Sequence, residues 1–253
     1  MDILAIIQAR MGSSRLPDKV LKDLAGKPVL WHVVNRVKKS KLINEVVVAT
    51  TYRKEDLAIV EYCASQRTAV YVGSDEDVLE RYYQAARLYK PVNVVRVTAD
   101  CPLIDAKVID TVIQEHLKSD CDYTSNTLED TFPDGLDCEV FKFTALEQAC
   151  QNAKLVSERE HVTPYIRKNK QYKKHSVTDS EDHSLERWTL DTDRDYAFLT
   201  RVFEELYKDN PEFDTNDVYA LLNRCPDIRK LNAGIIRNEG YLKSLENDKI
   251  FME

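Results

Sequence analysis

The sequence predicts an α/β fold, an open and mainly parallel sheet with helices on both faces, and three observations lead there. Continuous apolar runs at Ile3 to Ala9 and Glu45 to Ala49 have the length and composition of buried strands of a parallel sheet, and Ala69 to Val72 and Asn93 to Val97 make a short third and a fourth strand. Helical spacing fills the intervals between them, and strand, helix, strand, helix implies right-handed crossovers. A chain of 253 residues, 43% hydrophobic and 31% charged, also has enough apolar material for a sizeable core. In order, Pro28 opens a helix over Val29 to Lys39 after the polar loop Arg10 to Lys27. A second helix spans Lys54 to Gln66, a third Asp77 to Tyr89, and a fourth runs from behind Pro102 to about Lys118.

From Cys121 to Thr124 the chain is extended, and then the pattern changes. Phe132 to Phe143 combines a Pro-Asp-Gly turn with an alternating stretch and predicts a hairpin arm. Helices over Thr144 to Ala153 and Ser157 to Arg167 follow, then a strand near Arg187 to Leu190, and a helical last third with Tyr196 to Tyr207, Asn216 to Asn223 and an irregular tail. No repeat or linker divides the chain, so residues 1–253 are expected to form one domain with an inserted arm over 130–178.

Charge and cysteine usage narrow the function. With 43 acidic against 36 basic residues the net charge is −7, which argues against a nucleic-acid binder. No apolar run approaches the roughly 20 residues of a bilayer span, and no basic n-region marks a signal peptide. The six cysteines are scattered without a Cys-x-x-Cys pair, so reduced cytosolic thiols are expected and no zinc site.

In an open parallel sheet the ligand lies beyond the carboxyl ends of the strands at the switch in strand order, which directs attention to the loops after the first and fourth strands. The first contains Arg10, Gly12, Ser13, Ser14, Arg15 and Lys19 within ten residues. Its glycine and serines can offer backbone amides to an anion that the cations neutralise, although a solvated basic loop has the same composition. Neither a Walker loop nor a dinucleotide fingerprint fits it. After the fourth strand, Asp100 stands where a carboxylate can hold Mg²⁺ against phosphate oxygens, or cap a helix, a duty Asp105 fits better. In Trp188-Thr189-Leu190-Asp191-Thr192-Asp193 one aspartate can cap the next helix and the other reach the metal. Two carboxylates and a cationic loop are the parts for metal-assisted attack on a nucleotide α-phosphate.

The run Ile6 to Leu21 resembles the nucleotide-binding signature of the cytidylyltransferases that activate acidic sugars, and more closely that of the spore coat polysaccharide biosynthesis protein F branch. The resemblance continues through Gly26-Lys27-Pro28, Val46 to Thr51, Asp77 to Tyr83, Asp100 to Asp105, Phe132 to Asp137, Ser157 to Ile166 and Arg187 to Thr192. It implies a nucleotide-diphospho-sugar transferase (Rossmann-like) fold, CTP as donor, Mg²⁺, release of pyrophosphate, and a cytoplasmic homodimer. By position it implies Ala9, Arg10, Gly12, Ser13, Ser14 and Thr98 along the nucleotide, Arg15 and Lys19 on the triphosphate, and Asp100 and Asp191 on the metal. Arg15, Lys19 and Asp100 are then the catalytic set. Asp134, Gly135, Asp137, Arg159, Glu160 and His161 would face a small acidic acceptor.

Three departures from the family pattern stand out: Asp18 replaces a glycine, Ala99 replaces a glycine, and Asp193-Arg194 replaces Pro-Glu after Asp191-Thr192. Two other readings compete with cytidylyl transfer. One is a glycosyltransferase of the same architecture, for which Asp191-Thr192-Asp193 would be an Asp-x-Asp motif, and the other is an inactive nucleotide-binding scaffold.

Overall fold

The computed structural model describes residues 1–13, 15–246 and 248–251. Strand β1 (Ile3–Gln8) is followed by the two-residue strands β2 (Asp23–Leu24) and β3 (Lys27–Pro28), which pair as a small antiparallel ribbon, and by α1 (Val29–Val37). Then come β4 (Glu45–Thr51), α2 (Leu57–Ser65), β5 (Ala69–Gly73), α3 (Val78–Tyr89), β6 (Asn93–Thr98) and α4 (Ala106–Ser119). Next are β7 (Tyr123–Ser125), β8 (Glu139–Lys142), α5 (Phe143–Asn152), α6 (Val156–His161), α7 (Pro164–Lys168) and β9 (Lys174–Ser176). The chain closes with α8 (Asp193–Leu206), α9 (Thr215–Arg224) and α10 (Glu239–Glu246).

The main sheet has the order β5-β4-β1-β6-β8-β7-β9, and only β8 runs against its neighbours. Alternation along each central strand divides the core into two layers. Ile3, Ala5, Ile7, Val46, Val48, Val95 and Val97 pack with α1, α2, α4, α8 and α9 on one face. Leu4, Ile6, Val47, Ala49 and Val94 pack with α3 and α5 on the other. This two-sided burial is why the strands read as unbroken apolar runs. The chain moves outward from β1 through β4 to β5, then returns to place β6 on the opposite side of β1. The switch point therefore lies between the carboxyl ends of β1 and β6, where the loops after both strands meet.

Three expectations need correction. The hairpin over 132–143 is not formed: only Glu139–Lys142 is a strand, inserted between β6 and β7, and the 130–178 segment supplies β8 and β9 to the main sheet. Residues Arg187 to Leu190 are extended but join no sheet. Trp188 N–H donates to the Asp134 carbonyl at 2.6 Å and Leu190 N–H to the Asp100 carbonyl at 2.8 Å, so this segment is strapped across the strand ends. The helix expected over Ser157 to Arg167 is broken at Val162, whose φ of 70° is strained for a β-branched residue. Thr163 N–H donates to the His161 carbonyl across it, a γ-turn that ends α6.

All six cysteines are free, and among the described residues no helix is long and apolar enough to cross a membrane.

Candidate active site

Ala9 continues β1 into a loop held by its own polar groups. Ser13 N–H donates to the Met11 carbonyl at 2.8 Å, and the Ser13 hydroxyl accepts from Leu16 N–H at 3.3 Å. That amide is therefore spent inside the loop and not offered to an anion as the sequence suggested. Gly12 has open space around it, for a Cβ there would meet nothing within 4 Å. Asp18 adopts the left-handed conformation (φ 56°) and starts the 3-10 turn Lys19–Leu21, which accounts for glycine being usual at that position. Its side chain is exposed and lines neither of the cavities described below. Asp18→Gly should consequently leave CTP affinity within about twofold, since an exposed charge outside the cleft is screened; titration calorimetry showing a tenfold gain would put the carboxylate against the phosphates. Ala99 has no positive φ, so the alanine costs nothing there.

The 3-10 turn aims Lys19 across the switch point. Its Nζ donates to Asp100 Oδ2 at 2.6 Å, to Asp191 Oδ1 at 2.8 Å and to the Leu190 carbonyl at 2.9 Å. One ammonium thus joins the loop after β1, the loop after β6 and the strapped segment. Burial opposes the charge on Asp100, but Lys19 outweighs it and holds the carboxyl at about 2. Burial likewise works against the Lys19 charge, and the two aspartates reverse the sign and raise its pKa. Lys19 and Asp100 are therefore both ionised near neutral pH.

Asp191 is fixed by cations on each side. Arg15 Nη2 lies 3.0 Å from Oδ1, and Arg187 Nη2 3.1 Å from Oδ2. Arg187 is itself buried among Asp134 at 2.7 Å and Asp195 at 2.9 Å. Asp195 closes the capping box of α8 with Thr192 as N-cap, so neither Asp191 nor Asp193 caps this helix. Asp193 is exposed and lines neither cavity described below, which removes the second acid of an Asp-x-Asp pair.

A cavity of about 440 Å³ opens over this cluster and brings together Ala9, Arg10, Gly12, Ser13, Arg15, Lys19, Thr98, Asp100, Glu160, His161 and Asp191. An adjoining cavity of about 230 Å³ is lined by Asp134 and Asp137 with Arg96, Arg187 and again His161. Burial pushes the His161 imidazole down to about 4, against the pull of Glu160, so it is neutral near pH 7.

Two predicted residues do not belong with these. Arg159 is buried beneath the site, with Nε on Asp77 Oδ2 at 2.9 Å and Nη1 on the Cys150 carbonyl at 2.5 Å; it ties α6 to the start of α3. Gly135 lines no cavity and serves packing, since a Cβ there would lie 2.6 Å from Thr189 N and Trp188 C. Ser14 lies outside the described residues. Arg81, by contrast, lines the nucleotide-side cavity although sequence reasoning took it only as part of a helix. A cation on the buried face of α3 beside Leu79 and Tyr82 was the available signal.

Asp134 carries a pH prediction. Burial and the neighbouring Asp137 raise it to about 7 against the opposing pull of Arg187. Between the ordinary carboxylate value and about pH 7 the native state then holds a proton that the unfolded chain has lost. This contribution to stability is complete at low pH and disappears as pH rises through about 7. Asp134→Asn keeps an acceptor for Arg187 and abolishes the titration. Its melting temperature should therefore decline less than that of the wild type across this window, and parallel curves would assign the proton elsewhere.

Comparisons with known proteins identify the family. The family model described as cytidylyltransferase matches residues 4–239. The chain belongs to the cytidylyltransferase family. It is 39% identical over 246 residues to an uncharacterized protein of Methanocaldococcus jannaschii, covering 95% of this chain and 98% of that one. It is 32% identical over 234 residues to the spore coat polysaccharide biosynthesis protein SpsF of Bacillus subtilis, covering 89% and 96%. Among solved structures, a cytidylyltransferase from Leptospira borgpetersenii serovar Hardjo-bovis superposes with a TM-score of 0.87 at 33% identity, covering 93% of this chain and 99% of that one. The fold is thus that of the Rossmann-like nucleotidyltransferases, and the protein is a CTP-dependent nucleotidyltransferase.

Proposed function

We propose that this cytidylyltransferase transfers CMP from CTP to a small acidic acceptor, an acidic sugar or a phosphate- or phosphonate-bearing molecule, for surface polysaccharide or glycoconjugate biosynthesis. The observation that carries this reading is the convergence of Lys19, Asp100 and Asp191 at the switch point, beneath a loop that adds Arg10 and Arg15 to the same cavity. In the reaction an acceptor oxygen bonds to the α-phosphorus as the bond to the β-phosphate oxygen breaks. The acceptor's proton and pyrophosphate leave.

Mg²⁺ is the cofactor this reading implies, and the donor set suits it. Asp100 and Asp191 already share one cationic nitrogen on the wall of the cavity, and these two carboxylates would hold the ion against phosphate oxygens. Bound there, the ion would neutralise charge on the reacting phosphate. Lys19 would then turn from the carboxylates to the phosphates, while Arg15 and Arg10 neutralise the leaving pyrophosphate. Gly12 gives the chain no side chain where the triphosphate must pass.

The acceptor belongs in the adjoining cavity. Asp134, Asp137 and neutral His161 offer partners for hydroxyls there, Glu160 stands beside His161 on the larger cavity, and Arg96 and Arg187 supply positive potential for an anionic group. Arg159 has no part in this. The name of the SpsF relative supports a place in polysaccharide biosynthesis. A cytoplasmic homodimer with contacts from the 130–178 segment completes the reading, and sedimentation analysis tests that assembly.

The deciding experiment is pyrophosphate release from CTP, ATP, GTP and UTP with Mg²⁺ against a panel of acidic sugars and phosphorylated or phosphonate acceptors. Release from CTP alone with one acceptor class is expected. Equal release from all four nucleotides would sink the cytidylyl assignment.

A further inference from the structure

Helix α10 begins where the family match ends, at residue 239, yet it forms a wall of the active site. Gly240 and Lys243 line the larger cavity beside Arg15 and Lys19, and Glu239, Gly240 and Tyr241 line the adjoining one. Contacts at both ends hold the helix in place. Before it, Arg237 donates to Asp137 Oδ1 at 2.8 Å and to the Phe132 carbonyl at 3.0 Å. After it, Asp248 accepts from the backbone N–H and the hydroxyl of Ser157, in the first turn of α6, at 3.1 and 2.7 Å. Between these anchors the Ser244 hydroxyl donates to Glu160 at 2.8 Å and lies 3.0 Å from His161 Nε2, and the Tyr241 ring meets His161 edge-on.

On the cavity side a single carboxylate joins two cations. Glu239 accepts from Arg15 Nη1 at 2.7 Å and from Lys243 Nζ at 2.6 Å. The Arg15, Glu239 and Lys243 side chains are 38%, 37% and 64% exposed, so the pairing is screened and individually weak. A polyphosphate brings several charges and many acceptor oxygens to the same two cations, and charge-assisted bonds of that kind are stronger than those of one exposed carboxylate.

We propose that α10 is a working part of the nucleotide site, in which Lys243 is a triphosphate-binding residue and Glu239 is its built-in competitor, displaced from Arg15 and Lys243 when the triphosphate binds. The inference rests on the reading of this cavity as the CTP site. It makes the affinity for triphosphate depend on a helix beyond the family core. A monophosphate, with fewer charges, displaces Glu239 less effectively.

The test is titration calorimetry of the full chain as wild type, Glu239→Gln, Lys243→Gln and Lys243→Arg with CTP, CMP and inorganic tripolyphosphate, and of the wild type with ATP, GTP and UTP. Glu239→Gln should tighten CTP and tripolyphosphate by about threefold to tenfold and change CMP little, while Lys243→Gln weakens the first two by a similar factor and Lys243→Arg restores them. Thermal melts of each variant separate these shifts from loss of structure. Affinities for CTP and tripolyphosphate unchanged in both Glu239→Gln and Lys243→Gln overturn the proposal, as does weaker binding in Glu239→Gln. If tripolyphosphate follows the expected shifts but CTP has no advantage over ATP, GTP or UTP, the role of α10 stands and the cytidylyl reading falls. A wild type that binds neither CTP nor tripolyphosphate overturns both.

Discussion

Asp191→Asn and Asp100→Asn should each lower kcat/KM for pyrophosphate release from CTP by about 10²- to 10³-fold while leaving the fold intact. That magnitude is typical of removing one preorganised electrostatic group from a water-poor site. Each aspartate provides half of the acidic pair that Lys19 bridges at 2.6 and 2.8 Å, and both are needed if a divalent ion is to be held against phosphate oxygens. The fold should survive because the backbone contacts persist: the Asp100 carbonyl still receives Leu190 N–H, and Asp195 still caps α8. Asp193→Asn is the control. Its carboxylate is exposed and lines neither cavity, so turnover should stay within about twofold, as for other surface substitutions away from special features. A loss in Asp193→Asn equal to that in Asp191→Asn would revive the Asp-x-Asp reading of a glycosyltransferase.

Gly135→Ala should be the most destabilising methyl addition among the chain's glycines. Two costs coincide there. The backbone has a φ of +112°, which L side chains rarely adopt, and the new Cβ would stand 2.6 Å from both Thr189 N and Trp188 C, backbone atoms that cannot swing aside. Together these amount to roughly 3 kcal/mol or more. For a domain of this size that is a fall in melting temperature of about 6 to 12 °C. Comparison with Gly26→Ala separates the terms. That residue has a φ of +80° with nothing within 4 Å, so it should cost only the conformational part, about 1 kcal/mol. Activity should fall with stability in Gly135→Ala, because the displaced segment carries Thr189 directly into Asp191. A melt that matches Gly26→Ala would mean the strapped segment moves aside freely.

The central half of the fold was legible because its signal is local. Three strands buried on both faces, β1, β4 and β6, are apolar whatever their neighbours, and Pro28, Asp77 and Asp105 mark helix starts by their own chemistry, with the last two accepting from Glu80 and Lys107 N–H. Past residue 120 the strands shorten to three or four residues, and their pairing is decided by partners far along the chain. Residues 187–190 look like a strand because Trp188 and Leu190 are buried, yet their backbone bonds go to Asp134 and Asp100 and not to a ladder.

The site divides along the same line. The order of motifs along the chain, and the family resemblance they carry, set out by themselves the α/β class, the cationic loop after β1 and the acids at positions 100 and 191. Which side chains actually meet was a matter for the tertiary structure. Arg159 faces the acceptor in a linear reading, but its guanidinium is spent on Asp77 beneath the site. Likewise nothing local to Glu239 or Lys243 distinguishes a solvated helix from a cavity wall. That assignment comes from Arg237 and Asp248, which anchor α10 to residues 100 and 91 positions away in the chain, and such long-range closure is set by packing that no window of sequence contains.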